Sequence, residues 1–355
     1  MSGRLKLRRG VVVDEEPLAV EVDGERRRAW ADTALLGEMR EGDEVVVNVE
    51  ALDLGLGSGG FDVVHVNLTR GLEGGGPAGD EHAMKLNYTS LQHAVEPVER
   101  CNALPVGDIG KTLHKEAMPV LVLPLHGHLA PAAWAAAQTA HAAKVGYVQT
   151  IGGALPGPLS RDAVQLRERG LLCDHMTAGA AYGGEREAIT LPGALDAAAH
   201  KLGWDAVLMG PGPGIIGSDT GLGHGGVAAL ESAHAALALG LPTLLSPRLS
   251  AADPRERHRP VSHHTLTALR MLLAPVEIPV PSGEPVPIAV LATAAGWRHR
   301  LHEAVADLRG YKASGLPATT MGRTIDEDPL FFAAALASGR ALGESVAGGA
   351  LRRKG

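Results

Sequence analysis

The stretch WDAVLMGPGPGIIGSDTGLGHGG, residues 204–226, decides how the chain folds. Its first seven residues are an apolar run of strand length. Residues 226–239 then carry an Ala-rich helical pattern that Gly240 is placed to end. Strand, glycine-rich loop and helix in that order form the repeating unit of a parallel sheet. The same order recurs along the chain. PVLVLPL (119–125) precedes a helix expected from Pro131, KVGYVQT (144–150) precedes one from near Ser160, and GLLCDHM (170–176) precedes one over residues 192–201. LPTLLSP (241–247) and PIAVLAT (287–293) read as the remaining strands. Near-continuous aliphatic strands belong to sheets buried on both faces. The expectation for residues 84–350 is a doubly wound, mostly parallel, Rossmann-like α/β domain. Its last helix opens at DEDPLFFAAALASG, with Asp328 as N-cap and Pro329 in the first turn.

The N-terminal part has a different period. GVVVDE, LAVEVDGERRRAW with its Asp23-Gly24 turn, GDEVVVNVEALDL and FDVVHVNL read as short strands, so residues 1–72 are expected to close into a small β-barrel of the OB or SH3 kind. RGLEGGGPAGDEHA marks the boundary. Barrels of this type often bind nucleic acid. Residues 4–70, however, hold 9 Lys/Arg against 14 Asp/Glu, a balance of −5, with Trp30 and Phe61 as their aromatics. Single-strand binders need a cationic groove and stacking rings. The ERRRAW run is read as a solvated strand face.

Composition narrows the setting. Hydrophobic residues make up 45% and aromatics 3%, so the core must be aliphatic. The net charge of −7 argues against a nucleic-acid partner or an anionic membrane surface. Two cysteines give neither a disulfide framework nor a CxxC metal site, and the N-terminus lacks the apolar core of a signal peptide. No run approaches the roughly 18 apolar residues of a membrane span. The expectation is a cytoplasmic protein, with a homodimer as the base-rate assembly.

Open parallel sheets bind ligands beyond the carboxyl ends of their strands. Polar and glycine residues concentrate at those ends: His126 and His128, the IGGALPGPLS loop, Asp174 and His175, the quoted glycine-rich loop, and SPRLSAADPRERHRPVSHHT with His258, His263 and His264. In the glycine-rich loop, Gly212, Gly214, Gly217, Ser218, Asp219, Thr220, Gly223 and His224 are the candidate ligand contacts, joined by Arg248 and by Arg323 of TTMGRTIDEDP. Gly212, Gly214 and Gly217 satisfy GxGxxG, but Pro211 and Pro213 remove backbone donors. Ser246 and Arg248 stand where a dinucleotide ribose needs an acid. A standard NAD site is therefore not expected. GDIGKT (107–112) has the wrong glycine spacing for a P-loop, and no GxSxG is present. His126, His175 and His263 are the candidate proton carriers, because imidazole titrates near neutrality. A divalent metal on His128, Asp174, His258 or His264 is the minor alternative, since no pair fits HExxH or another metal motif.

KLNYTSLQHAVEPVE (85–99), GPGPGIIGSDTGLGHGG (210–226), ADPRERHRPVSHHT (252–265) and MGRTIDEDPLFFAAA (321–335) together resemble a bacterial family known as a domain of unknown function (DUF3866). The resemblance runs over nearly the whole chain and implies no activity. The reading that follows from the residues is binding, and transformation, of a small anionic metabolite, phosphorylated or nucleotide-like. The alternatives are a non-enzymatic sensor or assembly protein whose barrel contacts a partner, and a metal-dependent hydrolase using the histidine-rich loops. No cofactor is identified by the sequence.

Overall fold

The computed structural model describes residues 3–55, 59–75, 83–100, 118–218 and 220–352. The chain separates into two compact units, Met1–Gly79 and Asp80–Gly355. In the first, five strands close into a barrel: β1 (Leu7–Glu15), β2 (Leu18–Val22), β3 (Glu25–Trp30), β4 (Glu44–Asn48) and β5 (Asp62–Asn67), with short helices α1 (Thr33–Leu36) and α2 (Glu50–Asp53) between strands. Their order is β1-β2-β3-β5-β4, with β4 returning to β1 and β5 parallel to β3. This is a Greek-key barrel of the OB kind. Alternating valines fill it, Val12, Val20, Val22, Val45, Val47 and Val64. The ERRRAW run is only partly solvated, because Arg27 bonds the buried Asp62 at 2.6 Å and Asp53 at 2.6 Å.

The second unit begins with a hairpin, β6 (Ala83–Lys85) and β7 (His93–Val95). The buried Lys85 ammonium donates to the carbonyls of Gly179, Ala181 and Ala188 at 2.7–2.9 Å and pairs with Glu187, which fastens the hairpin to the α/β sheet. That sheet has eight parallel strands: β8 (Val120–Val122), β9 (Val145–Thr150), β10 (His175–Ala178), β11 (Arg186–Ala188), β12 (Ala206–Pro211), β13 (Thr243–Leu245), β14 (Glu277–Pro281) and β15 (Arg300–Ala304). Their order is β11-β10-β9-β12-β8-β13-β14-β15. From β8 the chain steps outward to β11, re-enters as β12 between β9 and β8, and then extends the sheet the other way.

Right-handed crossovers convert this order into two helical layers. Steps toward β11 place α3 (Leu129–Thr139) and α4 (Arg161–Glu168) on one face. Steps the other way place α5 (Leu191–His200), α6 (Ala228–Ala238), α7 (His263–Met271) and α8 (Pro285–Ala295) on the opposite face. α9 (Leu308–Ala313) and α10 (Pro329–Arg352) return to the first face, separated by a short hairpin of two-residue strands, β16 (Thr319–Thr320) and β17 (Arg323–Thr324). Neighbouring strands whose chains leave in opposite directions, β9 with β12 and β8 with β13, open a crevice beyond their carboxyl ends.

Several elements differ from expectation. Residues 287–293 lie in helix α8, not in a strand, and the strands β14 and β15 fall at 277–281 and 300–304. EALD, near the end of the third run, GDEVVVNVEALDL, forms α2. α3 starts at Leu129, two residues before Pro131, behind a 3-10 turn over His126–His128. Asp328 precedes α10 as expected, but its carboxylate accepts from Ser250 and the Ala251 amide, not from the helix's own amides. GDIGKT lies outside the described residues.

Among the described residues, α10 is the one helix long and apolar enough by composition to cross a membrane, and it is mostly buried within the α/β unit. It meets α3 through small residues. A Cβ on Gly339 would come within 3.0 Å of the Ala132 carbonyl, so the two backbones are nearly in contact. Replacing a helical glycine by alanine gains about 1 kcal/mol in propensity, while overpacking costs about 1–3 kcal/mol. Gly339→Ala is therefore expected to lower the melting temperature. Gly348→Ala, which meets nothing within 4 Å in the same helix, is expected to raise it. A rise in both would show that the α3–α10 approach is looser than described.

Candidate functional site

The crevice holds a cavity of about 680 Å³ over the ends of β8, β12 and β13. Each wall comes from a connection that the topology brings there. His126 and Gly127 follow β8, and Pro213, Gly214, Ile215, Gly217 and His224 follow β12. The long loop after β13 and the start of α7 supply Arg248, Arg255, Arg257, His258, His263 and His264. Asp162 comes from α4, while Met321 and Arg323 come from the β16–β17 turn.

The glycine-rich loop has a packing reason for its composition. A Cβ on Gly225 would strike the Gly152 carbonyl and one on Gly212 the Ala154 carbonyl, both closer than 3.0 Å. The loops after β9 and β12 therefore lie backbone against backbone. Beyond that contact the loop satisfies itself. Ser218 and Thr220 share a hydroxyl hydrogen bond of 3.0 Å, the Ser218 hydroxyl donates to the Gly223 carbonyl, and the Gly223 amide donates to Thr220 Oγ1. The Gly225 amide goes to the Ile216 carbonyl at 2.6 Å.

The cationic wall is organised around Asp253, which is fully buried. It accepts from Arg255 Nε and Nη2 at 3.0 Å and from Arg248 Nη2 at 3.2 Å, with Arg323 Nη2 at 3.5 Å. Burial by itself raises the Asp253 carboxyl; hydrogen bonds from the side chain and amide of Arg255, with its charge, outweigh burial and hold the group well below the usual range. Arg323 Nε also reaches the buried Asp328 at 3.1 Å. Burial lowers the Arg248 guanidinium to about 10, with Asp253 opposing. Met321 Sδ accepts from Arg248 and Arg255, and its backbone takes φ +46°, a left-handed conformation uncommon for a side chain of this size.

Beside this wall four imidazoles pack ring to ring. His224 and His264 stack at 3.8 Å with planes within 8°, and His263 stands edge-on to both at 5.0 and 4.4 Å. His258 lies 5.0 Å from His263 and His264, with Nδ1 2.7 Å from the Ser262 hydroxyl. Burial pushes His264 down to about 2, aided by His224 and Arg248, and pushes His258 to about 3, aided by Arg248 and Arg255. His224 and His263 are lowered as well, chiefly by burial. All four are neutral at physiological pH. Across the cavity His126 Nε2 lies 3.2 Å from Ser160 Oγ and 3.8 Å from Asp162 Oδ2.

Of the residues singled out from sequence, His126, His263, Gly214, Gly217, His224, Arg248, Arg323, His258 and His264 meet at this cavity. Others do not line it. Gly212 is held in the loop–loop contact, and Ser218, Thr220 and Gly223 close their own turn. Asp219 lies outside the described residues. His175 stacks on Tyr147, ring centres 5.2 Å apart, with Nε2 3.1 Å from Gln149 Oε1. His128 bonds the Ser246 hydroxyl at 2.9 Å against Phe331, and Asp174 pairs with Arg186. Asp162, Arg255, Arg257 and Met321 line the cavity and were not singled out. The two arginines carry a signal, basic residues within an unusually long polar loop. Asp162 carries none, since an acid in a first helical turn is already favoured by the helix dipole.

A family described as "Protein of unknown function (DUF3866)" matches residues 28–339. No curated protein and no solved structure matches the chain.

Two of the enclosed histidines make a pH prediction. Burial lowers His128 to about 3 and His175 to about 4, whereas an unfolded imidazole titrates near 6.5. The unfolded chain therefore takes up protons first as pH falls, and stability is lost from about pH 6.5 downward. The urea midpoint of the α/β unit is expected to hold above about pH 7. Between about pH 6 and pH 4 stability should drop by about 1.4 kcal/mol per pH unit for each of these histidines, and the midpoint with it. A midpoint unchanged from pH 7 to about pH 4.5 would contradict their enclosure.

Proposed function

The chain belongs to this family of unknown function, and from its geometry we propose that the α/β unit binds a small anionic metabolite, phosphorylated or nucleotide-like, in the crevice over β8, β12 and β13. One observation carries the reading. Arg248, Arg255, Arg257 and Arg323 line a concave cavity together with Asp162, the one lining carboxylate among the described residues. These four guanidiniums gather in one place in a protein of net charge −7. Guanidinium forks take phosphate and carboxylate oxygens bidentately, and a concave cationic site raises the local anion concentration.

In this reading the anion is held by arginine side chains, with Gly214 and Gly217 giving it backbone access from the loop after β12. His126, set against Asp162, and His263 carry protons, because an imidazole beside a carboxylate suits general acid–base work. His175 supports Tyr147 and Gln149 behind them. The reading takes the protein as cytoplasmic, acting without a nucleic-acid partner and as a homodimer. The acidic net charge argues against nucleic acid and the free, partly buried Cys173 suits a reducing compartment, while the homodimer rests on the commonest assembly of such chains.

The test is a thermal-shift panel on EDTA-treated protein with phosphate, pyrophosphate, sugar phosphates, nucleotides and organic acids. A ligand at about 100 times its dissociation constant adds about 2.7 kcal/mol, a shift of a few degrees for a unit of this size. Arg257 is exposed, so Arg257→Ala should leave the unliganded melting temperature within about two degrees and remove much of the shift, whereas Arg255→Ala takes a hydrogen-bond partner from the buried Asp253 and should lower it. His126→Ala should keep the shift and lose turnover. Absence of any shift in folded protein would overturn the reading. A shift with no turnover of any bound compound would leave the site a sensor.

A further inference from the structure

We propose that His224, His263 and His264 form a binding site for a divalent transition metal of the zinc type in the wall of this cavity. The inference rests on the same cavity as the anion reading and deepens it, giving His263 to the metal and leaving proton transfer to His126. Each residue offers one ring nitrogen, and these nitrogens lie within 4.8 Å of one another. They come from two separate segments. His224 ends the glycine-rich loop, and His263 and His264 open α7 behind Ser262, whose hydroxyl accepts from the His264 amide. The juxtaposition is therefore built by the fold, not by local spacing.

Outer hydrogen bonds fix which nitrogen is free. His224 Nε2 donates to the Gly221 carbonyl at 3.0 Å, and His263 Nδ1 faces the Arg257 carbonyl at 3.4 Å. An imidazole that donates one N–H to a carbonyl presents its other nitrogen as a lone pair, the usual arrangement around metal-bound histidine. His224 Nδ1 is such a nitrogen. It has no hydrogen-bond partner, and the residue is only 8% exposed. Gly226 keeps its surroundings open, because a Cβ there would lie 2.8 Å from His264 Nδ1 and 3.0 Å from His224 Nδ1. An unpartnered buried acceptor is costly unless something occupies it.

The donor set selects the metal class. Three imidazoles without a carboxylate suit zinc, cobalt, nickel or copper and not magnesium or calcium. Three protein ligands leave a coordination position open, here toward the cavity where the arginines gather anions. Two features work against the cation, and both have a structural answer. Arg248 Nη1 donates to His264 Nδ1 at 3.4 Å; a metal on Nδ1 replaces this long hydrogen bond, and Asp253 keeps the guanidinium paired. The parallel stack of His224 and His264 also points their lone pairs side by side, so metal binding turns one ring about χ2, a soft torsion for imidazole.

The experiment is titration of EDTA-treated full-length protein with Co2+ alone, read by visible d–d absorption and calorimetry. The expected result is one Co2+ per chain. Affinity should fall by about 100-fold or more in His263→Ala and in His264→Ala and stay unchanged in His141→Ala, an exposed histidine elsewhere. His263 is only partly buried, so His263→Ala carries the test if His264→Ala does not fold. Binding well under one equivalent in folded protein, or undiminished in His263→Ala, would overturn the site. Because the anion panel is run in EDTA, a phosphate shift without cobalt binding sinks the metal alone. Cobalt binding without any anion shift sinks the anion reading alone.

Discussion

The Asp253 carboxylate is the interaction on which the cavity depends. It is fully enclosed, and an enclosed charge left without partners costs several kcal/mol. Its partners are thus obligatory: Arg248 and Arg255 come from its own loop after β13, and Arg323 from the distant β16–β17 hairpin. Asp328 repeats the device at the start of α10, taking Arg323, Ser250 and the Ala251 amide. Two buried acids hold three arginines in place, so the guanidiniums are positioned without a ligand. Pre-positioning removes much of the side-chain ordering cost that binding otherwise carries. Met321, in its left-handed conformation, sits against two of the same arginines, and local strain of this kind persists only where the surroundings over-determine it.

The scaffold beneath that network is shaped by the near absence of aromatic residues. With 3% aromatics, the helices that cover the sheet bury alanine along much of their length. Small side chains bring helix and sheet axes close, and at Gly339 the approach reaches backbone contact with α3. A thin layer leaves little room for water around buried polar groups, so these must satisfy one another. His128 Nδ1, Ser246 Oγ and Ser338 Oγ form such a line, linking the turn after β8, the end of β13 and α10 at 2.9 Å per step. It ties α10 to the strand ends that carry the cavity.

The alternation of strand and helix was legible because parallel strands buried on both faces are written as aliphatic runs between helical patterns. VLVLPL and WDAVLMG gave β8 and β12 their places, and the barrel's valine alternation gave its strands. The misreading at residues 287–293 has a definite cause. PIAVLAT is apolar on every side, and a short apolar run has no period that separates strand from buried helix. Pro285 ahead of it and Gly296 behind it, at φ +55°, bound an eleven-residue helix instead. The neighbouring strand β14, EIPVP, carries two prolines, which argue against an interior strand because they cannot donate to the ladder. For the cavity, chain position after each strand located His126, His224, His258, His263, His264 and Arg248; it misplaced His175, which opens β10 instead of following it, and His128, which packs beneath the cavity against Phe331. It did not show that His224 would stack on His264. The two are far apart in sequence and share no motif spacing, so their contact depends on how two loops pack.

The glycine-rich loop also reverses the role that its composition suggested. A phosphate cradle needs free backbone amides at a helix N-terminus. Here the Gly223 and Gly225 amides are used within the loop, the Val227 amide bonds the His224 carbonyl, and Gly212 and Gly225 are small because another backbone lies against them. What the packing achieves is placement. By pressing the loop onto the one after β9, it sets His224 where the first turn of α7 delivers His263 and His264. Gly212 and Gly225 therefore act on the site through an imidazole, and positive charge there comes from guanidiniums rather than from a helix end. A guanidinium keeps its charge at any physiological pH, while an imidazole held neutral by burial keeps a lone pair. In the proposed reading, the two groups side by side divide one cavity into a part that attracts anions and a part that offers donors to a metal or a proton.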